Sequence, residues 1–357
     1  WPRLRRLPRQ LRGPAGLIML GLLTVFAGAG GYIYLNTNVW NTYRTHLDDE
    51  QWQADIERAL LKYETLPQPR IDQVRLDVDL FPHQATVVTR GSYRFVNRTS
   101  APIRDLHLRF ERDLRIDALA IEGARPKQTF ARYNYRIFRF DTPLQPGERR
   151  SLSFTTTRTQ RGFKNSDNNT KVVDNGTFIN DLDIAPTFGM TRDGLLQDRA
   201  KRRKYGLPPQ LRLAPLGDAA SRSRTYLRPD SDWVQADITV STSADQIPIA
   251  PGYKASETVA NGRRTVRFKT DAPVQHFFSI QSAAYEVRRQ TYKGIDLAIY
   301  YDRQHPWNIE RMMRAMRVSM DYYQDNFGPY QFHQARILEF PDYAKFAQSF
   351  ANTIPYS

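Results

Sequence analysis

The sequence contains no cysteine among its 357 residues. Disulfide scaffolds, cysteine-ligated zinc, iron–sulfur clusters and thiol nucleophiles are therefore excluded, although the redox compartment stays open. Histidine is also scarce, and no two histidines are four residues apart, so no H-E-x-x-H zinc helix lies in the chain. The six are His46, His83, His107, His276, His305 and His333.

A strong bias toward either polar or apolar residues is also missing. Hydrophobic residues make up 40% and charged residues 25%, which argues against a disordered chain and against a protein with many membrane spans. The net charge is 52 − 37 = +15. No aromatic residues are interleaved with the basic ones at base-stacking spacing, so we predict no nucleic-acid partner. We interpret the charge as a solvated cationic surface.

The length favours two folded units, since a domain has roughly 150 residues. The chain begins at Trp1 and not at a methionine. We interpret it as a fragment of a longer protein.

One apolar run stands near the start of the chain. Residues 15–35 carry no charge, and 21 residues of helix reach about 31 Å, which matches the ~30 Å hydrocarbon layer of a bilayer. Five arginines precede the run in residues 1–12. We therefore predict a basic cytoplasmic flank at 1–12, a transmembrane helix at 13–40, and an extracytoplasmic location after about residue 40. A cleaved signal peptide is disfavoured because the run is too long.

Residues 41–70 are predicted to form a juxtamembrane helix and linker. Trp52, Ile56, Leu60 and Tyr63 follow helical spacing, and acidic residues occupy the first turn. We interpret this helix as a spacer.

From residue 71 the apolar residues alternate with polar ones, as in VRLDVDL at 74–80 and LHLRF at 106–110. Many short alternating runs separated by turn signals predict an antiparallel β-sandwich domain at 71–301. A polar segment of low periodicity, residues 157–232, interrupts it. Such a long insertion is either functional or disordered, and both interpretations stay open.

After residue 301 the pattern becomes helical. Pro306 suits the first turn of a helix, and a stripe of apolar residues follows it at helical spacing, which we assign to the core. The stripe consists of Ile309, Met312, Met313, Met316, Met320 and Tyr323. A strand is predicted at 335–340. Residues 302–357 thus look like the truncated start of an α/β domain.

Several segments together resemble one known family. They are NFGPYQF at 326–332, ILEFP at 337–341, NRTSAPI at 97–103, NGT at 175–177, SADQIPIAPGY at 243–253 and FAQSFANTIPYS at 346–357. The chain resembles the aminopeptidase-N-like zinc peptidases (gluzincins), and more closely their bacterial branch fused to an ABC transporter permease. The resemblance implies a bacterial inner-membrane protein in which a β-sandwich precedes a thermolysin-like catalytic domain.

The resemblance also implies a cofactor, a substrate and partners. Zinc would be bound in the parent protein by ligands outside this chain, peptides would be the substrate, and an ABC ATPase would associate through an upstream permease. In the family, a G-A-M-E-N loop binds the amino terminus of the peptide through its glutamate. Here the corresponding stretch lacks both the glutamate and the glycine, and Ala347, Gln348, Ser349 and Asn352 are the implied peptide-binding residues. An ordered turn that satisfies its own backbone is the structural alternative.

Two functions are consistent with this pattern. The first is the N-terminal part of a membrane-anchored zinc aminopeptidase, inactive as isolated because the zinc motif is absent. The alternative is a non-catalytic extracytoplasmic binding or coupling module of an ABC exporter, which the missing glutamate favours. We assign His305 and His333 to surface or capping roles.

Overall fold

The structure is a computed structural model that describes residues 13–165, 171–210, 214–221, 227, 228 and 230–357. The predicted basic flank at 1–12 lies outside the described residues. The chain divides into two compact units, the described parts of Trp1–Trp52 with Gln160–Asn169, and those of Gln53–Thr159 with Thr170–Ser357.

The first unit is built on the predicted apolar helix, α1, which spans Pro14–Tyr34. A six-residue π-helical turn, Leu35–Trp40, continues it. By length and composition the helical segment Pro14–Trp40 fits either a membrane span or a signal sequence. The sequence therefore located this helix correctly, because an uninterrupted apolar run is a strong signal on its own.

The next helix, α2, spans His46–Leu60 and ends in a 3₁₀ turn, Leu61–Tyr63. Its second half belongs to the second unit, where Ile56 and Leu60 are buried. The buried carboxylate of Glu57 accepts two hydrogen bonds from Arg202, of 2.7 and 2.8 Å, in the short helix α3, Arg199–Lys204. The prediction of a mere spacer is wrong for this half, because the helix packs into the domain.

The second unit is dominated by strands. They are β1 Arg70–Phe81, β2 Thr86–Val96, β3 Ile103–Arg109, β4 Arg115–Ile121, β5 Ala124–Phe130, β6 Tyr135–Leu144, β7 Arg149–Thr159, β8 Thr177–Asn180, β9 Thr187–Phe188, β10 Trp233–Ser243, β11 Ile247–Ile249, β12 Tyr253–Ala260, β13 Arg263–Lys269, β14 Val274–Gln275, β15 Ser279–Ala283, β16 Glu286–Tyr292, β17 Ile295–Tyr301, β18 Gln334–Glu339 and β19 Thr353–Tyr356. One longer helix, α4, spans Ile309–Phe327.

Three sheets form the sandwich. The largest has the order β12-β13-β10-β1-β2-β7-β4, with β14 also paired to β10; the others are β5-β6-β3-β9 and β11-β15-β8. Alternate residues of the strands are buried in one continuous core, as the period-two pattern predicts. The mainly β fold is confirmed. One pairing departs from the antiparallel prediction: β1 and β10 run parallel, which a long intervening stretch of chain permits.

Part of the polar segment 157–232 contributes to this core. Strand β8 pairs with β15, β9 pairs with β3, and Ile179, Ile184 and Phe188 are fully buried. These parts form ordered strands, which argues against the disordered interpretation for them, and the functional interpretation stays a prediction. The strands have four and two residues, too few for a periodic pattern to show.

The last sheet has the order β16-β17-β18-β19, with β17, β18 and β19 parallel. Helix α4 connects β17 to β18, so this is the start of an α/β layer. Strands β16 and β17 were assigned to the sandwich segment 71–301, but they pair within this sheet, which therefore begins at Glu286. On α4, Ile309, Met313 and Met316 are buried as predicted, whereas Tyr323 is 60% exposed.

Candidate functional site

The predicted site lies on a β-hairpin formed by residues 346–357. Four backbone hydrogen bonds close it: Gln348 N–H to Pro355 O at 3.1 Å, Phe350 N–H to Thr353 O at 2.8 Å, Thr353 N–H to Phe350 O at 3.3 Å, and Ser357 N–H to Phe346 O at 3.2 Å. The inner half is β19, which pairs with β18. Residues 346–350, here called the outer strand, therefore extend the last sheet by one strand.

The outer strand has a free edge. In an antiparallel pair, successive residues point their backbone groups alternately toward the partner and away from it. Since residues 346, 348 and 350 bond to the inner half, Ala347 and Ser349 direct their N–H and C=O groups outward. No backbone hydrogen bond to either N–H is made by the residues that the structure describes. An edge of this kind can accept an extended peptide as an additional strand.

Aromatic residues hold the outer strand against the domain. The ring of Phe346 lies 5.0 Å from that of Phe340, and the ring of Phe350 lies 4.8 Å from that of Phe277, measured between centroids. Both also contact Phe178 of β8. Since side chains alternate along a strand, these contacts leave Ala347 and Ser349 on the opposite, exposed face. The edge is therefore anchored on one face and open on the other.

Asn352 occupies the turn of the hairpin and is only 6% exposed. Its φ of 52° lies in the left-handed region, which asparagine tolerates. Its side-chain oxygen accepts hydrogen bonds from Arg336, Gln334 and Thr353, at 3.1, 3.2 and 3.2 Å. The prediction grouped Asn352 with residues that line a peptide, but its side-chain oxygen is already bonded to two residues of β18 and to Thr353. Ala347, Gln348 and Ser349 do lie on the outer strand.

Beneath the turn lies a buried cation that the sequence analysis did not single out. Arg336 is 3% exposed, and its guanidinium donates only to neutral oxygens: Ala250 O at 3.0 Å, Thr353 Oγ1 at 2.8 Å and Asn352 Oδ1. Burial lowers the pKa of Arg336 to about 10, which leaves it charged at neutral pH. Its position inside an apolar core strand was the available signal in the sequence.

No acidic residue occurs between 346 and 357. Glu339, at the end of β18, is occupied by other partners: Oε1 pairs with His305 Nδ1, and Oε2 accepts the N–H of Asp302 at 2.8 Å. The site thus offers outward backbone groups above a buried positive charge, and no carboxylate for an ammonium group. This arrangement suits a peptide backbone better than a free amino terminus.

The segment NGT at 175–177 joins the sandwich to this region. Asn175 Oδ1 accepts the N–H of Ala284 at 2.8 Å, and Tyr343 Oη donates to Gly176 O at 2.9 Å. A Cβ on Gly176, whose φ is 101°, would lie 2.1 Å from Pro341 Cδ. Only glycine fits there, so the motif has a structural role that supports the approach to the hairpin.

The described residues do not fit a zinc ion. They contain no group of three or more His, Asp or Glu side chains placed to bind a metal. His305 pairs with Glu339, and His333 Nε2 lies 3.1 Å from Asp271 Oδ2. Both histidines therefore make single ion-pair contacts.

A small cleft borders the hairpin. The cleft between Phe350, Thr353 and the sandwich holds about 10 Å³, at the lower limit for one water molecule. A concavity of about 520 Å³ exists on the outer face of the large sheet, where Gln73, Arg75, Arg94, Gln235, Asp237 and Lys269 are among the lining residues. It does not include hairpin residues. The candidate site is thus an open edge.

Comparison with known proteins gives one consistent result. No family model and no curated protein matches the chain. Among solved structures, a mutant M1 zinc metallopeptidase from Deinococcus radiodurans, bound to Tyr-Ser-Ala substrate, is similar with a TM-score of 0.52 at 17% identity, over 81% of this chain and 60% of that one.

Two related structures agree. A two-domain M1 zinc metallopeptidase mutant bound to L-tryptophan matches with a TM-score of 0.53 at 17% identity, over 83% of this chain and 62% of that one. The M1 zinc metallopeptidase from Deinococcus radiodurans matches with a TM-score of 0.52 at 16% identity, over 84% and 63%. The chain spans about three-fifths of the length of these metallopeptidases, and over that part it shares their fold.

Proposed function

We propose that this chain supplies the β-sandwich and a peptide-binding edge of a membrane-anchored, aminopeptidase-type metallopeptidase-like protein that acts on peptides. The observation that carries the proposal is the pair of outward-facing backbone positions at Ala347 and Ser349 on a sheet edge. The fold shared with M1 zinc metallopeptidases, one of them bound to a tripeptide, supports it. Fold alone does not define an activity, so the proposal depends on the edge.

The second part of the proposal concerns the membrane. Helix α1 would span a bacterial inner membrane, with the basic residues before it in the cytoplasm and the chain after about residue 40 outside. An ABC transporter permease would precede the helix and bring an ABC ATPase as a partner. The apolar length of Pro14–Trp40 and the arginines of the flank support this orientation.

The third part concerns the metal. Zinc in the parent protein would activate a water molecule for peptide hydrolysis, and its ligands would come from outside this chain. By itself, the chain would bind peptides without cleaving them.

A second function is favoured by one specific observation. The hairpin has no acidic residue, and Glu339 is already bonded to His305 and to the backbone of Asp302. Without a carboxylate, an amino terminus is not held in the manner of an aminopeptidase. The alternative is a non-catalytic extracytoplasmic module that binds or couples substrates of an ABC exporter.

The test measures peptide binding to the full chain in detergent. The ligand is labelled Tyr-Ser-Ala with a free or an acetylated amino terminus, and fluorescence anisotropy reports its binding. The substitution Ser349→Pro removes one outward N–H, and we expect a loss of affinity of about tenfold, the worth of one hydrogen bond. Ser349→Ala keeps the N–H and is the matched control. Equal affinity of all three proteins would contradict the proposal.

The two functions differ in their further outcomes. A strong preference for the free amine, together with hydrolysis by a longer zinc-loaded form, supports the peptidase. Affinity that is independent of the amino terminus, without hydrolysis in any form, supports the binding module. Hydrolysis of aminoacyl reporter substrates by the chain itself would refute the assignment of the zinc ligands to residues outside it.

A further inference from the structure

The end of α1 is not a regular helix terminus. The π-helical turn Leu35–Trp40 follows it, and two side chains in this turn bond back to the helix: Asn36 Nδ2 to Tyr32 O at 2.8 Å and Thr37 Oγ1 to Ile33 O at 3.0 Å. Both side chains are buried. π-Helical turns are rare and frequently mark functional sites, so the contacts of this turn need an explanation.

A distant segment, residues 160–165, packs on this turn; we call it the interfacial loop. Asn41 Nδ2 donates to Arg161 O at 2.8 Å and to Phe163 O at 3.3 Å, and Asn36 Oδ1 accepts the N–H of Phe163 at 3.2 Å. Asn165 Oδ1 accepts the N–H of Arg44 at 3.1 Å. Asn165 Nδ2 also donates to Arg44 O at 2.5 Å, so five asparagine-mediated hydrogen bonds fix the loop to the helix end and the residues after it.

The fit between the loop and the turn is close. Gly162 has a φ of 61°, and a Cβ at this position would lie 1.9 Å from Asn36 Oδ1. A side chain at this position would be strained at this φ and would displace the Asn36 side chain that bonds to the loop. The position of the loop therefore depends on Gly162, and a substitution of this glycine tests the arrangement directly.

The surface made by the loop and the turn combines rings and cations. The ring of Phe163 lies 5.9 Å from that of Tyr32, and the Arg161 guanidinium lies 4.3 Å from the ring of Trp40. The loop also contains Lys164 and has no acidic residue. Aromatic rings together with lysine or arginine stems are typical of the membrane–water interface, where the rings occupy the headgroup layer and the cations meet lipid phosphates.

From this geometry we propose that the interfacial loop lies in the headgroup layer of the membrane and binds anionic lipid headgroups through Arg161 and Lys164. The inference rests on the membrane span proposed above. It adds a second point of contact with the bilayer, 120 residues further along the chain than the helix end. Each cation near an anionic surface strengthens the attraction about fivefold.

The absence of cysteine allows a clean experiment, since every single-cysteine variant carries one thiol. The full chain is reconstituted in phosphatidylcholine vesicles that contain about 30% phosphatidylglycerol. This anionic lipid gives the vesicle surface a negative potential that attracts cations. Nitroxide labels at Phe163→Cys and, separately, at Lys164→Cys report collisions with oxygen and with a water-soluble nickel chelate. Leu22→Cys in α1 marks the hydrocarbon interior, and free label in buffer marks bulk water.

We expect both loop labels to lie between these two limits and to become more accessible to nickel when phosphatidylglycerol is omitted. Gly162→Ala should expose the label at 164 to water. The control Gly147→Ala, also at a positive φ of 79° but in open space, should leave it unchanged.

Two outcomes would overturn the inference in different ways. If the label at Leu22→Cys is shielded from nickel and the loop labels are as accessible to nickel as free label, the membrane span is correct. The loop then lies in water and does not contact the headgroup layer, which contradicts the inference. If Leu22→Cys is itself accessible to nickel, the membrane span fails, and the inference fails with it.

Discussion

Two buried arginines show how differently the sandwich core and the hairpin region treat a positive charge. In the core, Arg228 Nη1 donates to Asp181 at 2.8 Å, and its Nε lies 3.0 Å from Asp230. Under the hairpin, Arg336 has only neutral oxygen partners. Burial lowers the pKa of both, but at Arg228 the two carboxylates outweigh it and raise the pKa above its usual value.

The difference separates a structural network from a candidate binding region. The charge of Arg228 is compensated by carboxylates within the core, so its guanidinium is not available to bind a ligand. Among the described residues no carboxylate bonds to Arg336, and this cation lies beside the turn of the hairpin whose outer strand has the free edge. A positive potential there disfavours an ammonium group and agrees with the missing glutamate of the hairpin.

The largest effect is expected in the sandwich core. Arg228→Met leaves Asp181 and Asp230 buried without their partner, and it should lower the free energy of unfolding by about 3–5 kcal/mol. Urea denaturation of the full chain, monitored by tryptophan fluorescence, measures it. The control is Arg90→Met, whose partner Asp79 is near the surface, with an expected loss of about 0–1 kcal/mol. Similar losses of unfolding free energy in both variants would contradict the expected difference between the buried and the exposed ion pair.

An intermediate effect is expected on acidification. His276 is fully buried beside Asp181, and burial, followed by the charge of Arg228, lowers its pKa from 6.5 to about 3. The unfolded chain takes up a proton below pH 6.5 while the folded protein does not, so stability is full above that pH and falls toward pH 3. The expected loss from this residue is about 2 kcal/mol between pH 7 and pH 5.

The substitution His276→Gln tests this expectation. It removes the titrating group, so the loss of stability between pH 7 and pH 5 should be smaller by that amount than in the wild-type chain. The comparison of slopes is meaningful even when the variant is less stable at both pH values. Equal slopes would show that His276 is protonated in the folded protein.

The smallest effect is expected at the hairpin. Arg336→Met should cost about 1 kcal/mol, because the neutral acceptors lose a donor while the cost of burying an unpaired cation also disappears. The same urea titration measures it, and Arg336→Lys, which keeps a cation, is the matched control. A loss as large as that of Arg228→Met would mean that Arg336 is also part of a compensated network.

Much of the fold was readable because each element carries its own periodicity. The alternation at 74–80 predicted β1, the apolar run at 15–35 predicted α1, and the methionine stripe predicted α4. The missed strands β5 and β12 are edge strands with few buried residues, so they have no apolar face to show a pattern. The assignment of β17 to the sandwich failed because alternation does not say which sheet a strand joins.

The site was readable only in part. The segment 346–357 was identified through a resemblance, and its inner half pairs with the core strand β18. The sequence did not predict that Asn352 lies in the turn whereas Ala347 and Ser349 lie on the outer strand, because turn residues and edge-strand residues have similar composition. The role of Gly176 also depended on the position of Pro341, which is 165 residues away in the chain.

The sequence by itself determined the elements whose signals are local: one apolar helix, a long series of alternating strands, a chain without thiols, and no zinc motif. Tertiary structure alone decided which charges are compensated, since the fold places Asp181 and Asp230 beside Arg228 and neutral oxygens beside Arg336. It also decided that residues 160–165 meet the end of α1. Electrostatics and packing depend on distances between residues far apart in the chain, and those distances exist only once the chain has folded.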